Sequence, residues 1–323
     1  MKAQIYTQYG PPSVIHFAEI TKPSIGKSDI LIQVIASTVN RTDSGFRSAE
    51  YFVSRFFSGL FRPNQPVLGC EFAGIVSEIG SEVSKFKAGD RVFGFDDEGF
   101  GGHAEFKVIH ENKGVTLIPE GLDFETAAAL SEGSHYALGN IRAANVHADH
   151  HVLVIGGTGA IGSAAIQLIK AIGSKVTAVC PGDHMNTVRN LGADRVVNFQ
   201  TEDFTQTEER YEFIFDAVGK SRFSICKPLL KEHGVYISTE LGPGLENIFL
   251  ALKHKFTSGK KLLFPIPSFS QEDINFLKNQ YEQGHFKPLI DRVYEFDQIV
   301  EAYTYVETGQ KIGNVILRVG NPN

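Results

Sequence analysis

The sequence predicts an α/β protein in which a strand-rich first part precedes a doubly wound parallel sheet. Three observations predict it. Short strand-like segments recur through the first ~115 residues. A glycine-rich run, GGTGAIG (156–162), stands between an apolar strand and an apolar helical period. After about residue 122, strand-like and helix-like segments alternate, which places helices on both faces of a parallel sheet.

Taken in order, KAQIYT (2–7) and VIHFAEI (14–20) read as strands. In DILIQVIASTVN (29–40), Ile30, Ile32, Val34 and Ala36 share one face, which is strand periodicity. FAGIVSEIG (72–80), DRVFGF (90–95) and HAEFKVI (103–109) follow, each bounded by Gly, Asp or Lys. The stretch 122–145 is rich in Ala and Leu and reads as helical. VLVI (152–155) leads into a helix from 160, and VTAV (176–179) into one at 185–191. Further strands are expected at FIFDAV (213–218), VYIS (235–238) and KLLF (261–264). Helices at 271–280 and 297–307 and a strand at 314–319 close the chain.

The 323 residues allow about two domains and a sizeable core. A net charge of −6 gives no global attraction to nucleic acid or anionic membrane. Cys70, Cys180 and Cys226 lie far apart, which supports neither a disulfide framework nor a zinc ribbon and fits a reducing compartment. No signal peptide is read at MKAQIYTQYG, so the cytoplasm is expected. Residues 152–169 carry no charge, but their clustered glycines favour a strand, a turn and a buried helix over a membrane span.

Gly157-Thr158-Gly159-Ala160-Ile161-Gly162 is a GxGxxG in the strand–turn–helix setting that a dinucleotide requires. Backbone N–H groups at the helix start would face the pyrophosphate, so Gly157, Thr158, Gly159, Ala160 and Ile161 are candidate cofactor residues. An NAD site usually carries an acid at the end of the second strand, for the ribose 2′-hydroxyl. Here that strand ends in Cys180-Pro181-Gly182, and Asp183 is read as a helix N-cap. A 2′-phosphate is then not repelled, and His184 and Arg189 are candidates to hold it. NADPH is expected in preference to NADH.

PVLGCEFAGIVSEIGSEVSKFKAGDRVFGF (66–95), GGHAEF (101–106), AAALSEGSHYAL (127–138), the 152–180 run, LGADRVVNF (191–199), FDAVG (215–219) and GQKIGNVIL (309–317) stand in an order that resembles the medium-chain dehydrogenase/reductase family. The resemblance is nearest to its zinc-free quinone-oxidoreductase-like branch. It implies a GroES-like β-barrel catalytic domain over 1–121, completed by 268–323, a Rossmann domain over 122–267, and an active site between them. The family's catalytic zinc ligands correspond to Asn40 in Asn40-Arg41-Thr42-Asp43, to Cys70 in Gly69-Cys70-Glu71, and to the neighbourhood of Glu132. Asn is a poor zinc ligand, so no metal is expected; a hybrid Cys70/Glu132/His135 site is the alternative.

Without a metal, hydrogen bonds must polarise the substrate carbonyl, which suits hydride transfer to an enone, a quinone or a related reactive carbonyl. The resemblance places Asn40 and Thr42 at the substrate edge, as donors to the carbonyl or as strand-end hydrogen-bonding residues. Tyr51, His135 and Tyr136 are proton-donor candidates or structural residues, and Glu132 is a cleft acid or a helix cap. Gly219, Ser238, Thr239 and Asn314 fall where the family touches its cofactor, with Asn314 replacing the usual Lys. The aromatic segment 51–61 reads as an apolar lid selecting apolar substrates, or as a core or interface helix. The stretch 245–267 resembles the family's dimer strand, so a homodimer is expected. The alternatives are a zinc-independent alcohol or aldehyde dehydrogenase, and a non-catalytic NADPH-binding protein.

Overall fold

The computed structural model describes residues 1–50, 55–255, 257–266 and 269–321. Contacts divide the chain into two units: 1–132 with 269–279 and 288–323, and 133–268 with 280–287. The strands are β1 (Lys2–Ile5), β2 (His16–Glu19), β3 (Asp29–Thr38), β4 (Glu71–Ile79), β5 (Arg91–Phe95), β6 (Phe106–His110), β7 (Val115–Leu117), β8 (His151–Ile155), β9 (Lys175–Cys180), β10 (Arg195–Asn198), β11 (Tyr211–Asp216), β12 (Leu230–Ser238), β13 (Lys261–Leu262), β14 (Ile290–Glu295) and β15 (Asn314–Arg318). The helices are α1 (Arg41–Ser48), α2 (Arg55–Ser58), α3 (Phe124–Ala128), α4 (Glu132–Ala143), α5 (Ala160–Ile172), α6 (Met185–Asn190), α7 (Phe223–Cys226), α8 (Glu246–His254), α9 (Gln271–Glu282) and α10 (Ile299–Glu307).

The first unit is built on a sheet of order β14-β15-β3-β4-β5-β7, with β6 also paired to β3. The strand β3 is its axis: it pairs antiparallel with β4, β6 and β15. Both of its faces are covered, so Leu31 and Ile35 are buried as well as Ile30, Ile32, Val34 and Ala36. The closing strand β15 sets Ile316 opposite Thr38 and thereby brings the chain's last segment to the end of β3. The helix α3 packs on β3, β4, β5 and β15, so the chain leaves this unit after Glu132 rather than after residue 121.

The second unit is a parallel sheet of order β10-β9-β8-β11-β12-β13. The chain starts at the central β8, runs outward to β9 and β10, then restarts on the other side at β11. The strand order therefore reverses beside β8, where doubly wound sheets bind their ligands. The apolar run 152–169 forms β8, a turn and part of α5. Among the described residues no helix is long and apolar enough to cross a membrane.

Three local expectations need correction. The strand expected at 213–218 covers Tyr211–Asp216, because the Asp216 carboxylate accepts the N–H groups of Val218, Lys220 and Ser221 and turns the chain there. The strand expected at 261–264 is only Lys261–Leu262; Pro265 follows closely and lacks the N–H a longer strand would need. Asp183 caps no helix: a 3-10 turn over Gly182–His184 intervenes, and α6 starts at Met185 with His184 at its N-cap.

Candidate active site

The glycine loop of the second unit is assembled from backbone. Gly156, at φ +86, turns the chain out of β8, and Gly156 and Gly157 both donate to Val179 O at 3.0 Å. A Cβ on Gly162 would lie 2.1 Å from Gly156 O, so only glycine lets α5 start this close to the strand. No side chain caps α5 at Gly159 and its first turn holds no acid, which leaves a bare positive helix end. A Cβ on Gly159 would meet nothing nearer than 3.7 Å. Gly159 N donates to Gly156 O at 3.2 Å, so the backbone of Thr158, Ala160 and Ile161 at this uncapped helix start is what a diphosphate fits.

The other nucleotide candidates of this unit line the same sheet edge. Cys180 ends β9 opposite Asn198, and burial pushes its thiol up to about 11. Gly182 N donates to Gln200 Oε1 at 2.9 Å. His184 is half-buried, whereas Arg189 is exposed, with Nη1 bonded to Asn186 Oδ1 at 2.9 Å. Arg189 is also close enough to Cys180 to act on its thiol electrostatically. Gly219 lies in the turn that Asp216 organises, and Thr239 N donates to Asp216 O at 3.1 Å. Ser238 is buried at the end of β12. His135 is buried one turn into α4, its ring 5.1 Å from that of Tyr136.

The first unit holds a cluster of side chains at the end of β3. Glu71, fully buried, accepts from Thr38 Oγ1 (2.6 Å), Asn40 Nδ2 (2.8 Å), Ser131 N (3.1 Å), Ser131 Oγ (2.9 Å) and Glu132 N (2.6 Å). Burial nevertheless pushes its carboxyl up to about 6, against the pull of these donors. Asp43, on α1, accepts from the N–H groups of Asn40 (3.2 Å), Gly69 (3.0 Å) and Cys70 (3.3 Å); its carboxyl too is raised by burial to about 6. Glu132 is buried and its Oε2 has no partner among the described residues. Burial, then the charges of Glu71 and Asp43, hold it well above the usual carboxylate range, with the Thr42 hydroxyl and Lys311 pulling the other way. Lys311 donates to Gly313 O at 2.5 Å and to Asn40 Oδ1 at 3.4 Å.

Of the residues singled out in the sequence, Asn40, Thr42 and Glu132 meet here. Asn314, the first residue of β15, is buried in the same unit; its Nδ2 donates to Leu289 O at 3.1 Å and its Oδ1 has no partner among the described residues. Tyr51 lies outside the described residues. Glu71 and Lys311 were not anticipated as site residues. Their only sequence signal was adjacency: Glu71 follows Cys70 in the zinc-ligand motif, and Lys311 lies three residues before Asn314.

The donors at the family's zinc positions do not suit a metal. Asn40 Oδ1, the atom that would ligate a metal, faces the cationic Nζ of Lys311 at 3.4 Å, and the Cys70 thiol, fully buried beside carboxylates, is pushed well up. Among the described residues no group of three or more His, Cys, Asp or Glu side chains is placed to hold a metal ion.

Comparison with known proteins agrees with this architecture. Residues 26–120 match the alcohol dehydrogenase GroES-like domain, and residues 191–317 match a family described as zinc-binding dehydrogenase. The 2-methylene-furan-3-one reductase of Solanum lycopersicum is 30% identical over 98% of this chain and 79% of its own. The chloroplastic NADPH-dependent alkenal/one oxidoreductase of Arabidopsis thaliana is 28% identical over the same shares, 98% and 79%. Among solved structures, a quinone oxidoreductase from Coxiella burnetii superposes with a TM-score of 0.87 at 28% identity, covering 99% of each chain.

Proposed function

The chain belongs to the medium-chain dehydrogenase/reductase family, in its quinone-oxidoreductase-like branch, and from that premise we propose that it is an NADPH-dependent, zinc-free reductase of enones, quinones or related reactive carbonyls. One observation carries the reading. The position that would complete a zinc site holds Glu132, a buried acid that burial and its neighbouring carboxylates push toward its neutral form, with an oxygen that lacks a partner among the described residues. A neutral carboxyl donates a hydrogen bond where a carboxylate would repel developing negative charge.

When bound, the reduced nicotinamide supplies the hydride. The loop 157–161 and the start of α5 take the diphosphate. Arg189 and His184 take the 2′-phosphate, and no acid at the end of β9 opposes it; Cys180, Gly219, Thr239 and Asn314 complete the contacts. Glu132, with the Thr42 hydroxyl beside it, receives the substrate oxygen and supplies its proton. Asn40 acts by holding the cluster, since its amide hydrogens are given to Thr38 and Glu71. His135 and Tyr51 are the further proton-donor candidates. The exposed Phe56 and Phe61 supply apolar surface that favours apolar carbonyl and quinone substrates over charged ones.

A homodimer is part of the proposal: β13 ends its sheet, and Phe249, Leu252 and Ile266 are exposed. So is a cytoplasmic setting, which three unpaired, buried cysteines suit. NADPH oxidation against a panel of enones, quinones and aldehydes tests the reading. Enone or quinone turnover, faster with NADPH than NADH, is expected; turnover restricted to simple aldehydes, or one zinc per purified chain, overturns it.

A further inference from the structure

Lys311 has no role in the reading above, yet its surroundings are unusual for a structural lysine. It is half-buried just before β15, in reach of the electrostatic influence of Glu132, Glu71 and Asp291. Two of its three ammonium hydrogens go to Gly313 O and Asn40 Oδ1; the third has no acceptor among the described residues. Asn40 is locked in the orientation that presents its oxygen to Lys311, because its Nδ2 is committed to Thr38 and Glu71. The amide therefore has no hydrogen left for a substrate. The same cluster contains the Glu132 Oε2 that is buried without a partner among the described residues. An ammonium hydrogen without an acceptor and an acid oxygen without a partner, in one cluster, are both met by one group: an oxygen with two lone pairs.

We propose that Lys311 is a catalytic residue that hydrogen-bonds the substrate's carbonyl oxygen together with Glu132, and that Asn40 is the positioning residue that aims it. This rests on the reduction of a reactive carbonyl proposed above. A hydride from the reduced nicotinamide forms a C–H bond at the β-carbon of an enone and breaks its carbon–carbon π bond. The electron pair moves to the carbonyl oxygen, which becomes an enolate held by the Lys311 N–H. Glu132 gives that oxygen its proton and is reprotonated from solvent, and the enol tautomerises to the ketone. One hydride and one proton are taken up. An ammonium is the stronger of the two donors because it carries charge, and the carboxyl groups of Glu132 and Glu71 favour that charged form against the burial that lowers it.

The experiment compares the wild type with Lys311→Met, Lys311→Arg and Asn40→Ala in the full chain, with thermal unfolding and NADPH fluorescence titration as controls for folding and cofactor binding. Lys311→Met is expected to lower kcat for an enone by at least ~100-fold with the NADPH dissociation constant unchanged, and Lys311→Arg to keep part of the rate. The second readout needs no turnover. A chromophoric phenol, titrated with and without NADP⁺, is expected to ionise about one pH unit lower when bound to the wild type than in water, to lose that shift in Lys311→Met, and to keep a smaller one in Asn40→Ala. A phenol shift that survives in Lys311→Met overturns the proposal, whether or not the rate falls, because the lysine is then structural. If the wild type reduces no panel substrate, the reductase reading fails by itself and the phenol titration still decides the lysine.

Discussion

The glycine loop of the Rossmann unit and the carboxylate cluster of the barrel unit prepare for charge in opposite ways. The loop, 156–162, contains no ionisable side chain and offers backbone N–H groups and a helix end. The cluster gathers Asp43, Glu71, Glu132 and Lys311 from four separate stretches and keeps its acids toward their neutral forms by burial. A site made of backbone is insensitive to pH and intolerant of added atoms. A site made of buried acids tolerates shape changes better than changes of charge, and its stability depends on pH.

The largest expected effect probes the charge side of that contrast. Glu71→Gln keeps the volume but places an amide hydrogen against donors that Glu71 now accepts from, so the barrel unit should lose about 3 kcal/mol, read from urea unfolding. A loss under ~1 kcal/mol would mean that the five bonds are not cooperative.

Next comes pH. Burial raises Asp43 and Glu71 to about 6 and Glu132 further, so their contribution to stability is complete below their unfolded values and is lost as pH rises through about 6. His103 opposes this: burial lowers it to about 4, so its contribution is present above its unfolded value of 6.5 and is lost as pH falls. His151 and His254, both lowered by burial, act in the direction of His103; the three acids outweigh these imidazoles by a smaller margin, and stability should fall by roughly 1 kcal/mol from pH 5 to pH 8. Calorimetric midpoints at several pH values check it, and Glu132→Gln should flatten the slope. A slope that Glu132→Gln leaves unchanged would show that this acid titrates normally.

The backbone side is tested by Gly162→Ala, whose Cβ would stand 2.1 Å from Gly156 O. The added methyl should cost about 1–3 kcal/mol and weaken NADPH binding about 30-fold, by fluorescence titration, with no change in the pH slope of stability. The smallest effect is at the 2′-phosphate. Arg189→Ala should raise the KM for NADPH about 10-fold and leave that for NADH within a factor of two, since an exposed charge contributes modestly.

Legibility in the sequence followed contiguity. The turn Gly157 to Ile161 lies in one short run, and the periods on either side of it identify β8 and α5. Alternation along 29–38 likewise marks β3. By contrast, β10 and β14 are short or only partly buried, so neither has an apolar signature of its own; each is defined by pairing with β9 and β15. Asp183 illustrates the limit at a single residue: its type suits an N-cap, but a 3-10 turn displaced the helix start past it.

Residue order alone determined that a strand, a glycine turn and a helix would meet, because their neighbours along the chain impose that geometry through steric and hydrogen-bonding rules acting over a few residues. Only the tertiary structure decided that residues 40, 71, 132 and 311 share one buried cluster. Their proximity comes from β15 closing against β3 and α3 packing over β4, and the desolvation that follows shifts the carboxyl groups of Glu71 and Glu132. Burial is a property of the packed fold, and no local pattern of residues encodes it.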